Sequence, residues 1–305
     1  MRLSVFLFLL ITSGLLKAQD SVSVDTSYWT KGGQFTTSFS QVSLENWAAG
    51  GDNSVSLNGF MKLFADYKRE KVIWKNSTEI GYGLIRQGDE DFEKTDDQLN
   101  MTTQYGYSIN GQNLYWSSLL NFRTQFTKGM DEEGIIISKF AAPAYLIIAT
   151  GLDWTPTDYF SVSYSPISGK FTFVNDQTLA NQGAYGVDPA VYDQSNNLVV
   201  RGRKSRAELG GMLHLTYKQE VVENVDYQTM LSLFSNYLEN TQHIDVNWQN
   251  IINMKVNDWL TVNWQIQLLY DEDIKIVEGE SAKVQFKSVF GVGFAYNFGG
   301  QRITD

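Results

Sequence analysis

The amino-acid sequence predicts an all-β protein, a single transmembrane antiparallel up-and-down β-barrel of about 12 strands. Three observations support this fold class: long segments of alternating apolar and polar residues, connections of alternating length, and aromatic residues gathered near strand ends. The alternation is clearest in residues 72–126, where three successive segments change face at every residue. Each segment offers about ten or more alternating residues, which is the length that a tilted strand needs to cross a bilayer.

Twelve candidate strands follow one another along the chain. Their approximate bounds are 33–44, 54–68, 71–85, 96–110, 113–127, 140–154, 158–174, 203–218, 224–238, 244–256, 258–271 and 282–298. Twelve is an even number, as single-chain bacterial barrels require. The seventh strand is the least regular because Pro166 and Gly169 interrupt it, so we expect it to kink or split above the membrane.

The connections between these strands alternate in length. Short connections are predicted at 69–70, 111–112, 155–157, 219–223 and around Asn257, and generally longer ones at 45–53, 86–95, 128–139, 175–202, 239–242 and 272–281. Outer-membrane barrels combine short periplasmic turns with longer external loops, which places both chain ends on the periplasmic side. The 175–202 loop is the longest, and we expect it to fold over or into the barrel.

Aromatic residues lie beside the predicted turns and loops. An inner girdle is expected from Tyr67, Trp74, Tyr107, Trp116, Trp154, Tyr159, Tyr217 and Tyr296, and an outer one from Tyr82, Phe126, Tyr237 and Tyr270. Such rings favour the membrane–water interface. Ordinary core packing is the alternative, but core aromatics would not gather at strand ends. Trp259 lies at the level of the inner girdle, but its alternation assigns it to the inside of the barrel.

The two chain ends lie outside the predicted barrel. Residues 1–18 have a basic start, an apolar run too short for a membrane helix and a small residue at the end, which predicts a cleaved signal peptide. Residues 19–32 are predicted to form a short periplasmic lead, 33–298 the outer-membrane barrel and 299–305 a periplasmic tail. Phe298 is the terminal aromatic residue that we expect the barrel-assembly machinery to read during insertion. Outer-membrane lipid is the expected surrounding.

Composition narrows the function classes. Aromatic residues make up 14% and charged residues 19% of the chain, which suits a barrel with an aromatic exterior and a small-polar interior. Cysteine is absent, which excludes disulfides and thiolate chemistry, and no cofactor is expected. The formal net charge is −10, whereas phosphate binding relies on a basic surface, so no nucleic-acid partner is expected.

The chain offers few groups for catalysis. His214 alternates onto the polar face of its strand, and His243 lies at the edge of a short loop. An outer-membrane phospholipase with twelve strands carries a catalytic Ser and His two residues apart on its lipid-facing surface. Here Thr216 follows His214, and both are predicted to point inward, so a lumen histidine held by hydrogen bonds is the favoured interpretation. No metalloprotease, nucleophile-elbow or P-loop motif occurs, and we expect no enzyme.

The inward positions are the best candidates for function. They carry charges of both signs, several bulky apolar residues and several glycines. Opposite charges in a narrow lumen tend to pair and fill it. Candidate residues for binding in the lumen are Lys75, Glu79, Tyr115, Arg123, Glu208 and His214. The leading hypothesis is passage or binding of a small solute or amphipathic molecule through a partly filled lumen. A structural or assembly partner of another envelope protein and a lipid-modifying enzyme are the alternatives.

Acidic residues crowd the predicted external loops, most densely at 89–97. Carboxylate oxygens suit Ca²⁺, so Asp89, Asp91 and Glu93 are candidate metal ligands. Their spacing matches no defined calcium loop, however. A solvated acidic rim is therefore the favoured interpretation.

Several short motifs resemble those of a known family. They lie at 43–51 (SLENWAAGG), 82–84 (YGL), 94–97 (KTDD), 140–146 (FAAPAYL), 173–177 (FVNDQ) and 234–237 (FSNY). Together they resemble an exported outer-membrane β-barrel family of Bacteroidota that carries only a domain-of-unknown-function label (DUF3078-like), over nearly the whole mature chain. The resemblance implies an outer-membrane location. It supplies no reaction, cofactor or catalytic residue.

Overall fold

A computed structural model describes residues 28–43, 52–131, 133–239, 241–257, 259–273 and 282–300. Within these ranges the chain forms one closed antiparallel barrel of twelve strands, which confirms the predicted fold class. The predicted signal peptide, most of the predicted lead and most of the predicted tail lie outside the described residues. No helix of the described residues is long and apolar enough to cross a membrane.

The barrel strands follow one another around the wall in chain order, and the last closes onto the first. They are β1 (Trp29–Val42), β2 (Ser54–Arg69), β3 (Val72–Gln87), β4 (Glu93–Ser108), β5 (Leu114–Thr124), β8 (Ala144–Thr157), β9 (Phe160–Phe173), β12 (Ser205–Val222), β13 (Val225–Asn236), β14 (Ile244–Lys255), β15 (Leu260–Tyr270) and β16 (Gln285–Gly299). Two small hairpins interrupt the series: β6 (Gly129–Met130) with β7 (Ile136–Ser138), and β10 (Val191–Tyr192) with β11 (Leu198–Val200). All twelve predicted strands are present. The first begins at Trp29, earlier than the expected start at residue 33.

The connections define two ends of the barrel. At the short-turn end, the strands are joined by residues 70–71, 109–113, 158–159, 223–224 and 256–259. At the long-loop end, the connections are 43–53, 88–92, 125–143, 174–204, 237–243 and 271–284. In two of the short turns, Glu70 and Asn224 adopt positive φ angles of 49° and 65°, which two-residue hairpin turns commonly need. The predicted asymmetry of the connections is therefore present.

Contacts across the barrel identify its inward face. Lys287 Nζ on β16 lies 2.9 Å from Asp96 Oδ1 on β4, although three strands separate β16 from β4 around the wall. This contact crosses the lumen, so both side chains point inward. Side chains alternate along each strand, and directly paired residues share a face. The strand register then assigns the remaining positions to the lumen or to the outside.

The outward positions carry large apolar side chains that no other part of the described protein covers. Examples are Leu57, Met101, Leu120, Ile148, Leu209 and Phe290. An apolar band of this extent is stable in contact with lipid chains and unfavourable in contact with water. The barrel is therefore a transmembrane one.

Aromatic side chains near the short-turn end form the expected girdle. Tyr67, Trp74, Tyr107, Trp116 and Trp154 all lie on outward positions. The predicted inward placement of Trp259 is wrong. Its ring stacks on that of Phe294, an outward residue of β16, with the ring centroids 5.4 Å apart. Trp259 precedes the first residue of β15, so strand alternation does not fix its direction.

The long 174–204 connection folds into a small cap at the long-loop end. It contains helix α1 (Gln177–Asn181) and a 3-10 turn (Ala184–Gly186), and its apolar residues pack on Ala142 and Val174. Asp176 caps α1 by accepting a hydrogen bond from the main-chain N–H of Leu179, and it also lies 2.5 Å from Lys139 Nζ. The Tyr185 hydroxyl donates to the carbonyl of Ile137 at 2.6 Å. The cap is thereby joined to the neighbouring 125–143 connection.

The seam between the first and last strands is shorter than the neighbouring pairings. β1 pairs with β16 from Gly32 to Ser38 only, whereas it pairs with β2 along its whole length. Within the seam the backbones approach closely, since a side chain at Gly293 would meet the Thr37 carbonyl oxygen. Glycine at this position therefore allows the barrel to close.

Candidate functional site

The lumen is packed along one part of its wall. We call the inward side chains of β5, β8, β9, β12 and β13 the packed arc. Buried residues of the packed arc include Ala149, Ser168, Thr172, Glu208, Met212, Phe234 and Asn236. Below the long-loop end, Ala149, Met212 and Phe234 form an apolar cluster, against which Leu119 and Ile147 also pack. Side chains from four strands therefore fill this side of the lumen.

A network of charges lies above that apolar cluster. Lys170 Nζ on β9 lies 2.6 Å from Asp245 on β14, 2.8 Å from Asp271 and 3.6 Å from Glu208. The ammonium also lies 5.6 Å from the centre of the Phe234 ring. Only 13% of the Lys170 side chain and 4% of the Glu208 side chain are exposed to solvent. We call this set, with Arg206 and its partners, the loop-end charge network.

Arg206 extends the loop-end charge network toward the cap. Its guanidinium Nη2 lies 2.7 Å from Asp273, 3.0 Å from Glu239 and 3.7 Å from Glu208, and its Nη1 donates to the Gly186 carbonyl. Asp271 and Asp273 follow β15, whereas Lys170 and Arg206 belong to β9 and β12. The network therefore joins separate strands and the 3-10 turn of the cap across the mouth of the lumen.

A second ion pair crosses the lumen outside the packed arc. Lys287 and Asp96 approach to 2.9 Å, and their side chains remain 41% and 26% exposed. The Lys62–Glu79 pair, at 2.8 Å, is different because it joins directly paired residues of neighbouring strands and lies along the wall. Of these two pairs, Lys287–Asp96 is the one that joins opposite parts of the wall across the lumen. This solvent-exposed ion pair, which we call the bar, crosses the lumen.

Another part of the wall, next to the packed arc, is mostly polar. We call the inward side chains of β14, β15, β16, β1 and β2 the open arc, because nearly all of them are only partly buried. Its amide residues on β14 and β15 form hydrogen bonds between strands: Asn263 donates to Asn253 at 2.5 Å, and Gln267 donates to Asn247 at 3.0 Å. Carboxamides both donate and accept hydrogen bonds, so this wall suits water or polar solutes.

The structure places all six predicted lumen residues on inward positions but does not bring them together. Arg123 lies 4.9 Å from the centre of the Tyr145 ring, and Glu208 belongs to the loop-end charge network. Glu79 pairs with Lys62 and accepts a hydrogen bond from Asn100. Glu208 and Glu79 therefore have ion-pair partners, and Arg123 lies beside an aromatic ring.

The other three predicted residues also have partners within the wall. Lys75 is the direct strand partner of Asp66, and the buried Tyr115 donates its hydroxyl hydrogen to the Gln112 carbonyl. His214 Nδ1 lies 2.7 Å from Ser232 Oγ, and its Nε2 lies 3.1 Å from Thr216 Oγ1. His214 therefore faces the lumen between two hydroxyl groups and is directed away from lipid.

Sequence reasoning missed the centre of the charge network. Lys170 was not predicted to face inward because β9 is irregular, with register shifts against both β8 and β12. Asp96 was expected in an acidic loop, but β4 begins at Glu93 and carries Asp96 into the lumen. The one available signal was composition: Lys170 is a lone cation in a strand that otherwise has no charged residue.

The predicted metal site finds no geometric support. Asp89 and Asp91 are exposed in the 88–92 connection, and Glu93 begins β4. Among the residues that the structure describes, no group of three or more His, Asp or Glu side chains is arranged to hold a metal ion.

Comparison with known proteins gives a family label and several loose structural likenesses. The family described as "Protein of unknown function (DUF3078)" matches residues 39–130. No curated protein matches the chain significantly.

Three solved structures illustrate the likenesses. An outer-membrane channel from Pseudomonas putida F1 is 12% identical with a TM-score of 0.41, and the match covers 89% of this chain and 96% of that one. The NanC porin is 10% identical (TM-score 0.39; coverage 86% and 98%). The translocator domain of the autotransporter NalP from Neisseria meningitidis is 11% identical (TM-score 0.35; coverage 88% and 88%). At this level of similarity, the functional assignment depends on the lumen of this chain itself.

Proposed function

We propose that this protein is an outer-membrane barrel that passes a small polar solute through its lumen, and that charged contacts at the long-loop end restrict the passage. The Lys287–Asp96 ion pair is the observation that carries the proposal. It spans the lumen, yet both side chains remain partly exposed to solvent. A bar of this kind narrows a wet passage without sealing it.

The contrast between the two arcs supports the same function. The packed arc fills part of the cross-section with buried side chains, and the open arc presents partly exposed polar groups along another part. The open arc is therefore the proposed route, and the loop-end charge network forms one side of its entrance.

The cellular setting is part of the proposal. The first 18 residues are proposed to direct export, the barrel-assembly machinery to insert the chain, and outer-membrane lipid to contact its apolar exterior. The short-turn end would then face the periplasm and the cap the cell exterior, as in other outer-membrane barrels.

Recording single-channel currents across planar bilayers tests the proposal. The full-length protein is compared with the double variant Asp96→Asn/Lys287→Gln, which removes the charge attraction across the lumen. We expect small currents from the natural protein and a larger unitary conductance from the double variant. The matched control is Arg69→Gln, which breaks an exposed ion pair with Glu70 at the short-turn end, on the outward face of β2, and should leave conductance unchanged.

A further variant covers the case in which the cap blocks the passage. Residues 177–202 are replaced by a short Gly-Ser linker in the double-variant background, and mannitol uptake into liposomes is measured beside the currents. Absence of both current and uptake in all variants would show that the barrel is not a passage. A stable stoichiometric protein partner in crosslinking would then favour the structural role.

A further inference from the structure

The middle of the open arc is a row of amide side chains. Asp245 lies toward its long-loop end and Lys255 at its short-turn end. Lys287 borders the row as the direct strand partner of Gln267, and its charge is paired with Asp96. The other inward positions of 247–253 on β14, 261–269 on β15, 289–297 on β16 and 30–40 on β1 carry no charged residue. The inward amides are Asn247, Gln249 and Asn253 on β14, Asn263, Gln265 and Gln267 on β15, Gln285 and Asn297 on β16, and Gln34 on β1.

Several of these amides form no side-chain hydrogen bond within the described protein. Asn247 pairs with Gln267, and Asn253 pairs with Asn263. By contrast, Gln249, Gln265, Gln285 and Gln34 make no side-chain hydrogen bond to another described residue, and all four are partly exposed. Each carboxamide offers two N–H donors and one acceptor oxygen. These groups are consequently available to a solute in the lumen.

The neighbouring positions leave space and add short apolar surfaces. Gly291 and Ala295 on β16 and Ser38 on β1 are small, so the amides of β15 face a part of the wall with little side-chain volume. Ile251 is the direct strand partner of Gln265, and Met230 is that of Gln249. Amides thus alternate with single aliphatic groups.

This pattern selects by hydrogen bonding. An ion gains little from the row, because Lys287, the charged residue that borders it, is already paired with Asp96. A hydrophobic molecule would leave the amides without partners, which is costly. A molecule with many hydroxyl groups can replace the water bound to the amides, donating and accepting along the row, while its C–H groups contact the aliphatic side chains.

We propose that the open arc binds neutral polyhydroxylated solutes, of the chemical class of oligosaccharides, through the amide row centred on Gln249 and Gln265. This inference deepens the proposed function, since it names the class of solute that the passage takes. It concerns binding, so it is tested without any measurement of passage.

The test is isothermal titration calorimetry of the full-length protein in a detergent without a sugar headgroup. Maltotriose is the neutral polyhydroxylated probe, and trilysine, triglutamate and a polyethylene glycol of similar mass are the comparison solutes. We expect maltotriose to bind roughly tenfold or more tightly than each comparison solute. Equal or weaker binding of maltotriose by the natural protein would overturn the inference without reference to any variant.

Two variants assign the binding to the row. Gln249→Met/Gln265→Met keeps side-chain length and removes both amides, and we expect it to weaken maltotriose binding roughly tenfold or more. Asn250→Leu is the matched control, because Asn250 lies on β14 beside Gln249 but faces outward and accepts a hydrogen bond from Tyr227. It should bind as the natural protein does. Equal weakening in both variants would contradict the assignment to the row, and the shift of the folded barrel on unheated gels reports that each variant is folded.

The outcomes separate this inference from the proposed function. Maltotriose binding with no conductance in any bilayer variant would retain the amide row as a binding site and reject passage. Conductance with no preference for maltotriose would retain passage and reject the sugar-class solute.

Discussion

The packed arc and the open arc are built from strands with the same alternation, yet they form different surfaces. In the packed arc, Lys170 is 13% exposed and is surrounded by three carboxylates. In the open arc, Lys287 is 41% exposed and has Asp96 as its ion-pair partner. The difference comes from what lies opposite each lysine. Within one barrel, side chains can therefore be closely packed along one part of the lumen wall and partly exposed to solvent along another.

The largest expected difference concerns the two lysines. Lys170→Met leaves Glu208, Asp245 and Asp271 close together without their cation, and we expect a loss of about 3–5 kcal/mol in the free energy of unfolding. Lys287→Met removes a solvated pair and should cost about 0–1 kcal/mol. Urea unfolding in lipid vesicles, followed by tryptophan fluorescence, measures both. Similar costs for the two variants would show that the two arcs do not differ in burial of charge.

Substitutions on the lipid-facing surface should cost about the same stability in both arcs. Leu120 lies on β5 of the packed arc and Ile266 on β15 of the open arc, and both face outward. Arginine at either position would place a charge in the hydrocarbon region, so Leu120→Arg and Ile266→Arg should each cost about 2–4 kcal/mol. The same argument applies to Ile80 on β3. Tolerance of arginine at these positions in a vesicle-folding assay would overturn the assigned facing.

Apolar lumen residues should differ between the arcs. Met212 is buried in the apolar cluster of the packed arc, so Met212→Ala should leave a cavity and cost about 2–3 kcal/mol. Ile251 is only partly buried in the open arc, and Ile251→Ala should cost less than half as much. Unfolding of both variants in the same vesicles provides the comparison. A larger cost at Ile251 would indicate that the open arc is packed as well.

The smallest expected effect concerns the cap beside the packed arc. The hydrogen bond with Lys139 and the N–H of Leu179 lower the pKa of Asp176. A lowered pKa stabilises the docked cap fully above the ordinary pKa of aspartate, about 3.9, and this contribution is lost as the pH falls through the lower folded-state pKa. Limited proteolysis within 177–202 should therefore accelerate in that acidic range.

Two variants sharpen the acid experiment. Asp176→Asn should expose the cap at neutral pH and remove most of the acceleration on acidification. Asp193→Asn is the matched control: the pKa of Asp193 is also lowered, chiefly by the main-chain N–H of Asn197, but this residue holds only the turn between β10 and β11. Loss of the acid response in the Asp193 variant would contradict the assignment to Asp176.

Sequence patterns were sufficient to predict the strands of the wall. They were insufficient to predict which side chains meet inside the lumen. Alternation and connection lengths predicted all twelve strands because each side chain's face follows from its neighbours in the same strand. The charge network joins β9, β12 and β14 with the residues after β15, and no local pattern states which residues meet across a lumen. Where the alternation is interrupted, as at Lys170 by bulges and at Trp259 by a turn, the predicted direction was absent or wrong. The separation into packed and open arcs depends on such long-range contacts.

The short seam between β1 and β16 also makes one line of the wall weaker than the others. Seven residue pairs join β1 to β16, whereas fourteen join β1 to β2. Above the Ser38–Gly293 pair, residues 39–42 of β1 and 285–292 of β16 do not pair with each other, so their seam-side N–H and C=O groups form open edges. Local opening begins where the fewest backbone hydrogen bonds must be broken. Separation of the wall is therefore expected to start at this seam, and the main-chain amides of residues 285–292 should exchange their hydrogens before those of β2 and β3.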